Sequence, residues 1–99
     1  MKKFEKAGVN VVWVDDAQMK GLNQRFRSNS AVSNVISFSI NEIMDGRLHL
    51  GEIVINLDEA RREAAKLHLR LRDEILRLSV HGLRNLLNES HLKKEFKKG

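Results

Sequence analysis

Three positions near the C-terminal end of the sequence combine side chains and spacing that are typical of a zinc site. His81 and His91 are ten residues apart, and Asn85 lies between them, one helical turn after His81. Imidazole is a strong zinc ligand, whereas the neutral amide oxygen of asparagine is a poor substitute. The pattern therefore predicts a zinc ion bound by His81 and His91, in a site whose third position is occupied by Asn85.

A zinc ion at these positions would supply a nucleophile for hydrolysis. Zinc with three protein ligands keeps a fourth position for water, and it lowers the pKa of that water so that hydroxide forms near neutral pH. Glu89 is a second candidate for the third ligand, since carboxylates also bind zinc. With only two histidines, the sequence leaves open whether the metal binds and whether catalysis survives.

The last predicted helix, from residue 73 to about residue 87, carries His81 and Asn85. At about 100° per residue, both side chains fall on one polar face, and positions i and i+4 project together as a helical metal site requires. A solvated helix surface has the same pattern, so the helix register does not choose between the two readings. The polar face also contains Glu74, Arg77 and Asn88. The opposite, apolar face contains Ile75, Leu76, Ser79, Val80, Leu83, Leu86 and Leu87.

The remaining elements predict an α/β domain, with a small mixed sheet of about three strands packed with about three helices. We expect Asp15 or Asp16 to cap the first helix and Asp58 to cap the second, and Gly51 to mark a bulge or a close backbone approach. The predicted strands are 9–14, 35–40 and 48–57, and the second helix is 58–69. The predicted core consists of Val12, Val14, Leu22, Phe26, Ile36, Phe38, Ile53, Ile55, Leu76, Val80, Leu83 and Leu87, with Ala60, Ala64 and Leu67 also inward.

Length and charge limit the classes of protein that this chain can be. Ninety-nine residues predict a single domain over 1–99, with frayed tails at 1–8 and 92–99. The net charge of +5 is compatible with nucleic-acid binding and equally with an ordinary basic surface. With no cysteine, no disulfide-linked partner is expected, and the sequence shows no signal peptide and no membrane span, so we expect a cytoplasmic protein without a membrane partner.

The residue alphabet of the chain is restricted, since it contains no Pro, Tyr, Cys or Thr. An average chain of this length would contain about five prolines. The absence of four residue types together indicates either an engineered chain or an unusual lineage, and the composition does not choose between them.

Four motifs in the same order resemble those of the bacterial YbeY family of rRNA maturation factors, which are metal-dependent endoribonucleases. His81, Gly82 and His91 match the family pattern His-Gly-x-x-His-x-x-Gly-Tyr-Asp-His at its first, second and last positions, and Asn85 replaces its middle histidine. The other three motifs are LNQRFR at 22–27, SNVISF at 33–38 and LGEIVI at 50–55. Because the four motifs extend over most of the chain, they are a more specific sign than any single one.

The resemblance implies a YbeY-like fold and a single-strand-specific endoribonuclease that acts in rRNA maturation through a zinc hydroxide. It implies zinc as the cofactor, with His81 and His91 as ligands, and rRNA or a ribosomal subunit as the partner. Arg27 matches the motif arginine, whose planar guanidinium would stabilise the phosphorane-like transition state. The alternative for Arg27 is an ordinary cation at a helix C-terminus, where it stabilises the helix dipole.

Two further functions remain compatible with the sequence because Asn85 replaces a histidine ligand. One is a non-catalytic module that binds RNA or the ribosome through basic residues. The other is a minimised engineered scaffold that retains only the fold. Metal content separates the enzyme from both alternatives, and affinity for RNA separates the binding module from the scaffold.

Overall fold

The computed structural model describes residues 6–26 and 33–98, with the side chains of residues 8–26 and 33–88. Within these residues, three strands and three helices follow one another as β1-α1-β2-β3-α2-α3, which confirms the predicted α/β fold. The strands are β1 (Lys6–Val14), β2 (Val35–Met44) and β3 (Arg47–Asn56). The helices are α1 (Asp16–Phe26), α2 (Leu57–Leu67) and α3 (Leu71–Lys98).

The sheet has the order β1-β3-β2, with β3 in the centre. β1 pairs with β3 in parallel, and β2 pairs with it in the antiparallel sense. β2 and β3 are joined by the turn that the Asp45-Gly46 pair predicts. Both turn residues have positive φ, 55° and 76°, as a two-residue hairpin of the Asp-Gly type requires. α1 and β2 form the connection between the two parallel strands.

The first two helices begin at side-chain caps. Asp15 accepts a hydrogen bond from the Gln18 backbone N–H at 2.8 Å, and the Gln18 side chain accepts one from the Asp15 N–H at 3.0 Å. This reciprocal pair confirms Asp15 as a cap. For α2 the prediction of Asp58 is wrong, because Asn56 accepts from the Glu59 N–H at 3.2 Å. Asparagine and aspartate cap helices about equally well, so composition alone did not choose between them.

Apolar residues fill both faces of the sheet. On the face that α2 and α3 cover, the larger cluster contains Val35, Ile53, Ile55, Ala60, Leu78 and Leu86. On the α1 face, the smaller cluster contains Met19, Ile36 and Val54, with Val14, Leu22 and Phe38 packed against it. Neighbouring strand residues such as Val54 and Ile55 belong to opposite clusters because successive side chains of a strand point to opposite faces.

Six predicted inward positions are exposed instead. α3 contacts the sheet through positions 78, 82 and 86, so the side chains on its far side point to solvent. β1 is an edge strand, and Phe26 and Leu67 lie at the C-terminal ends of their helices. Leucine occurs all around α3, and its apolar pattern was therefore too broad to fix the buried face. The exposed residues are Val12, Phe26, Leu67, Leu76, Val80 and Leu87.

α3 is longer than the sequence pattern predicts, since its backbone continues from Leu71 through Lys98 instead of ending near residue 87. Strong helix formers such as leucine, lysine and glutamate follow residue 87, and the segment contains no proline that would stop a helix. Among the described residues, no helix is long and apolar enough to cross a membrane.

Candidate functional site on helix α3

The turn of α3 that begins at His81 is fixed to the sheet through Gly82. A Cβ atom added at Gly82 would lie 2.6 Å from Cγ2 of Ile53 and 3.2 Å from Oγ of Ser37, so only glycine permits this approach. The Ser37 hydroxyl also donates a hydrogen bond of 2.9 Å to the Gly82 carbonyl oxygen. The residues at 81 and 82 are therefore positioned by both β2 and β3.

A second close approach lies one helical turn further along α3. A Cβ atom added at Gly51 would overlap the carbonyl oxygen of Phe38 and lie 3.0 Å from Cδ2 of Leu86. The strand register also shifts beside Gly51, between Gly8 and Val9 on β1. The predicted close backbone approach at Gly51 is thus confirmed, and it allows α3 to lie against β3 along two successive turns.

His81 and Asn85 are both exposed and lie one turn apart on the same side of α3. The described residues do not fit a zinc ion, because they contain no group of three histidine, cysteine or carboxylate side chains that could hold a metal. The side chains of His91 and Glu89 lie outside the described residues, and so does Arg27. The roles predicted for His91, Glu89 and Arg27 stay predictions.

The backbone of α3 gives one constraint on a shared metal. Positions 81 and 91 belong to one continuous helix, whose rise of 1.5 Å per residue separates them by about 15 Å along its axis. A zinc–nitrogen bond is only about 2 Å long. A zinc ion bound by His81 and His91 together therefore requires the helix to open between the two residues.

His81 lines an open groove of about 430 Å³ on the solvent side of α3. The groove is lined by cationic, apolar and acidic side chains: Arg77 and Arg84, Leu76 and Val80, and Asp73. Both arginines are exposed. The Arg84 guanidinium can bind phosphate oxygens with paired hydrogen bonds, whereas that of Arg77 already donates to a carboxylate. The sequence analysis did not predict this use of Leu76, Val80 and Arg84.

A buried carboxylate lies near one end of this groove. Glu74 is 0% exposed, although the sequence analysis placed it on the polar face of α3. The Arg77 guanidinium donates to both of its oxygens, at 2.8 and 2.6 Å, and holds the pKa of Glu74 below its usual range. The spacing could have indicated this burial, because Glu74 lies four residues before Leu78, and residues 82 and 86 continue the same buried row.

His49 and His68 lie away from the groove. His68 is exposed and ends α2 in the left-handed conformation, with φ 57°. His49 is half-buried on β3 and lines a separate open cavity of about 590 Å³ beside the β2–β3 turn. Glu52, the acidic residue of the LGEIVI motif, is half-buried on β3.

Comparison with known proteins places these motifs in one family. The family model described as "Endoribonuclease YbeY" matches residues 1–98. Proteins of that name from Pelotomaculum thermopropionicum and Aquifex aeolicus are 38% and 36% identical over 95% and 86% of this chain. The chain spans 65% and 57% of the length of those two proteins, respectively.

A solved structure has the same fold. The solution structure of TM1509 from Thermotoga maritima superposes with a TM-score of 0.60 and is 28% identical in sequence. The superposition covers 79% of this chain and 49% of TM1509. Over the superposed part, this chain therefore shares its fold with a protein of known structure.

Proposed function

The chain belongs to the YbeY family, and we propose that it binds RNA in the α3 groove as an endoribonuclease of the YbeY type whose hydrolytic step is weak. The observation that carries the proposal is the exposed pair His81 and Arg84 in the groove, on a helix that Gly82 fixes to the sheet. The net charge of +5 favours a polyanionic partner.

Finer features of the function are proposed from the family resemblance. The target is rRNA or a ribosomal subunit, the site of action is the cytoplasm, and the metal of an intact site is zinc. Because the described side chains contain no group of three that could hold a metal, the proposal for this chain rests on RNA binding. Arg27 is proposed to contact a phosphate of the bound RNA, as its place in the LNQRFR motif suggests.

A second candidate function is a non-catalytic RNA-binding module. The exposed Asn85 favours it, because the amide occupies the position of a family ligand and a neutral amide oxygen is a poor zinc ligand. Both functions require RNA binding, and only the first requires phosphodiester cleavage. The two are therefore separated by activity and not by affinity.

The binding experiment uses a fluorescein-labelled single-stranded rRNA fragment and fluorescence anisotropy at 50 and 200 mM salt. We expect affinity that falls steeply with salt, since binding releases counterions from the phosphates. Arg84→Ala should weaken binding about fivefold to tenfold, which corresponds to roughly 1 kcal/mol for one phosphate contact. Arg47→Ala is the matched control, because Arg47 is an exposed arginine beside the β2–β3 turn and lines the separate cavity there.

Two results would overturn the proposal. Absence of binding at low salt leaves only the scaffold reading, and equal weakening by Arg84→Ala and Arg47→Ala means that the groove is not the binding surface. Cleavage is measured on the same RNA by gel electrophoresis with added zinc. Slow cleavage supports the weak enzyme, and binding without any cleavage supports the non-catalytic module.

A further inference from the structure

Two carboxyl groups from different helices meet at one guanidinium. Nη2 of Arg77 lies 2.6 Å from Oε2 of Glu74 on α3 and 3.6 Å from Oε1 of Glu63 on α2. The side chain of Glu74 is fully buried, and that of Glu63 is 22% exposed. Two carboxylates held this close in a partly buried setting repel each other, and a single arginine cation balances only one of them.

The hydrogen bonds leave one oxygen of this group without a donor. Glu63 Oε2 accepts a hydrogen bond of 3.1 Å from the side-chain amide of Asn34. Glu63 Oε1 is buried and receives no hydrogen bond when both carboxyl groups are ionised. It lies beside the carboxyl group of Glu74, which is itself only an acceptor when ionised. A proton on Glu63 would turn this orphaned acceptor into a donor to Glu74.

We propose that Glu63 and Glu74 hold one proton between them at pH values where isolated glutamates are ionised, and that this acid–carboxylate hydrogen bond latches α2 onto α3. The proton resides on Glu63, because Arg77 already donates to both oxygens of Glu74. Carboxyl pairs that share a site commonly share one proton in this way, since both members cannot ionise together at low cost.

The charges around the pair agree with this assignment. Burial and the neighbouring Glu74 raise the pKa of Glu63, and Glu59 on the same helix raises it further. Asn34, which precedes β2, is neutral, and its hydrogen bond lowers the pKa of Glu63 only in part. Arg77 is the cation that faces the pair from α3, and its donated hydrogen bonds lower the pKa of Glu74.

Because of the latch, the free energy of unfolding decreases as the pH rises. The folded state holds the proton of Glu63 more tightly than the unfolded state does, so this contribution is present at acidic pH. It is lost as the pH rises through the raised pKa of Glu63. At that point Glu63 and Glu74 are both ionised, and their carboxylates repel each other where α2 meets α3. This inference concerns the protein alone, so it does not depend on RNA binding or on a metal.

The test is the melting temperature of Glu63→Gln and of the parent between pH 5 and pH 9. Glutamine mimics the protonated acid, since its amide donates to Glu74 and its carbonyl oxygen accepts from Asn34. We expect the variant to melt about 4–8 °C above the parent at pH 9, with the difference shrinking toward pH 5. Glu42→Gln removes the same charge from an exposed position on β2 that takes no part in the contacts of Glu63 or Glu74, and it should keep the slope of the parent.

A second measurement keeps the inference testable if the variant folds poorly. The parent is labelled with ¹³C at the glutamate carboxyl carbons and titrated by NMR. One glutamate should titrate clearly above the ordinary range. Its resonance should be absent from the spectrum of Glu63→Gln, and in Glu74→Gln it should titrate closer to the ordinary range. If every glutamate titrates at or below the ordinary value, or if Glu63→Gln keeps the pH slope of the parent, the latch does not exist.

Discussion

The Ser37 hydroxyl on β2 donates a 2.9 Å hydrogen bond to the carbonyl oxygen of Gly82 on α3, and so joins residues 45 positions apart in the chain. Both residues belong to motifs that resemble the family, SNVISF and the His-Gly pair. The bond fixes the helical turn on which His81 lies. The serine of the SNVISF motif therefore has a structural role, since its hydrogen bond positions the helical turn that lines the groove.

Gly82→Ala should destabilise the protein. The new Cβ atom would lie 2.6 Å from Cγ2 of the buried Ile53, so α3 or β3 must shift, at an expected cost of about 1–3 kcal/mol. Urea denaturation monitored by circular dichroism measures the free energy of unfolding. The control is Gly21→Ala in α1, where nothing lies within 4 Å of the added atom, and alanine should be neutral or stabilising by up to about 1 kcal/mol. Equal unfolding free energies for the parent and Gly82→Ala would show that the added methyl group fits beside Ile53 at no cost.

Part of the fold could be predicted because the signals are local. The 9–14 run predicts most of β1, and the Asp45-Gly46 pair predicts the hairpin turn that positions β2 beside β3. The close approach at Gly51 also follows from local reasoning, since glycine inside a strand can mark a bulge or a close backbone approach. At these positions the local conformation can be predicted from one residue or a short run of residues.

The remainder depends on partners that are distant in sequence. Leu76 and Leu78 are chemically identical, and only the placement of α3 on the sheet decides that Leu78 is buried and Leu76 is 63% exposed. Glu74 looked like a solvated helix residue because its burial depends on Arg77 and on Glu63 of another helix. For the candidate site, the sequence predicted the shared side of His81 and Asn85 but not the neighbouring arginine of the groove, Arg84.

Asn56→Ala should be among the most destabilising polar substitutions. The Asn56 side chain is 0% exposed, caps α2 and donates to Asp16 at 2.8 Å and to the Ser33 carbonyl oxygen at 3.2 Å. Loss of the cap and of these buried bonds should cost about 2–4 kcal/mol. Asn34, whose side chain is only partly buried, gives a matched comparison, and Asn34→Ala should cost clearly less in the same denaturation assay. A cost below 1 kcal/mol for Asn56→Ala would contradict the buried network.

Removal of metal should leave the fold intact. The two apolar clusters on the sheet need no metal ligand, and a structural zinc would make folding depend on metal. We therefore expect the same melting temperature in EDTA and in zinc-containing buffer, measured by differential scanning calorimetry. A decrease of many degrees in EDTA would show that a metal is structural in this chain.

Asn85→His should increase zinc affinity, because positions 81 and 85 are exposed and project from the same side of α3. Competition with a zinc-sensitive dye measures the dissociation constant. If His91 also reaches the metal, the gain should be orders of magnitude, as expected when a third strong ligand completes the site. The double variant with His91→Ala then separates a three-histidine site from a two-histidine site. Equal affinities of the single and double variants mean that α3 stays helical through His91.

Asp16→Asn should reduce stability at neutral pH and have less effect in acid. Hydrogen bonds from Arg62, at 2.7 and 2.9 Å, and from Asn56 hold the pKa of Asp16 below its ordinary value. A lowered carboxyl pKa gives stability that is present above the pKa of the unfolded state and is lost as the pH falls through the folded one. Urea denaturation at pH 7, 5 and 3 should therefore show parent and variant converging toward pH 3.

Asp45→Asn removes the same charge at an exposed turn position that asparagine also tolerates, and it should stay close to the parent throughout. If Asp16→Asn shows a constant deficit at all three pH values, the charge of Asp16 is not what stabilises the junction of α1 and α2.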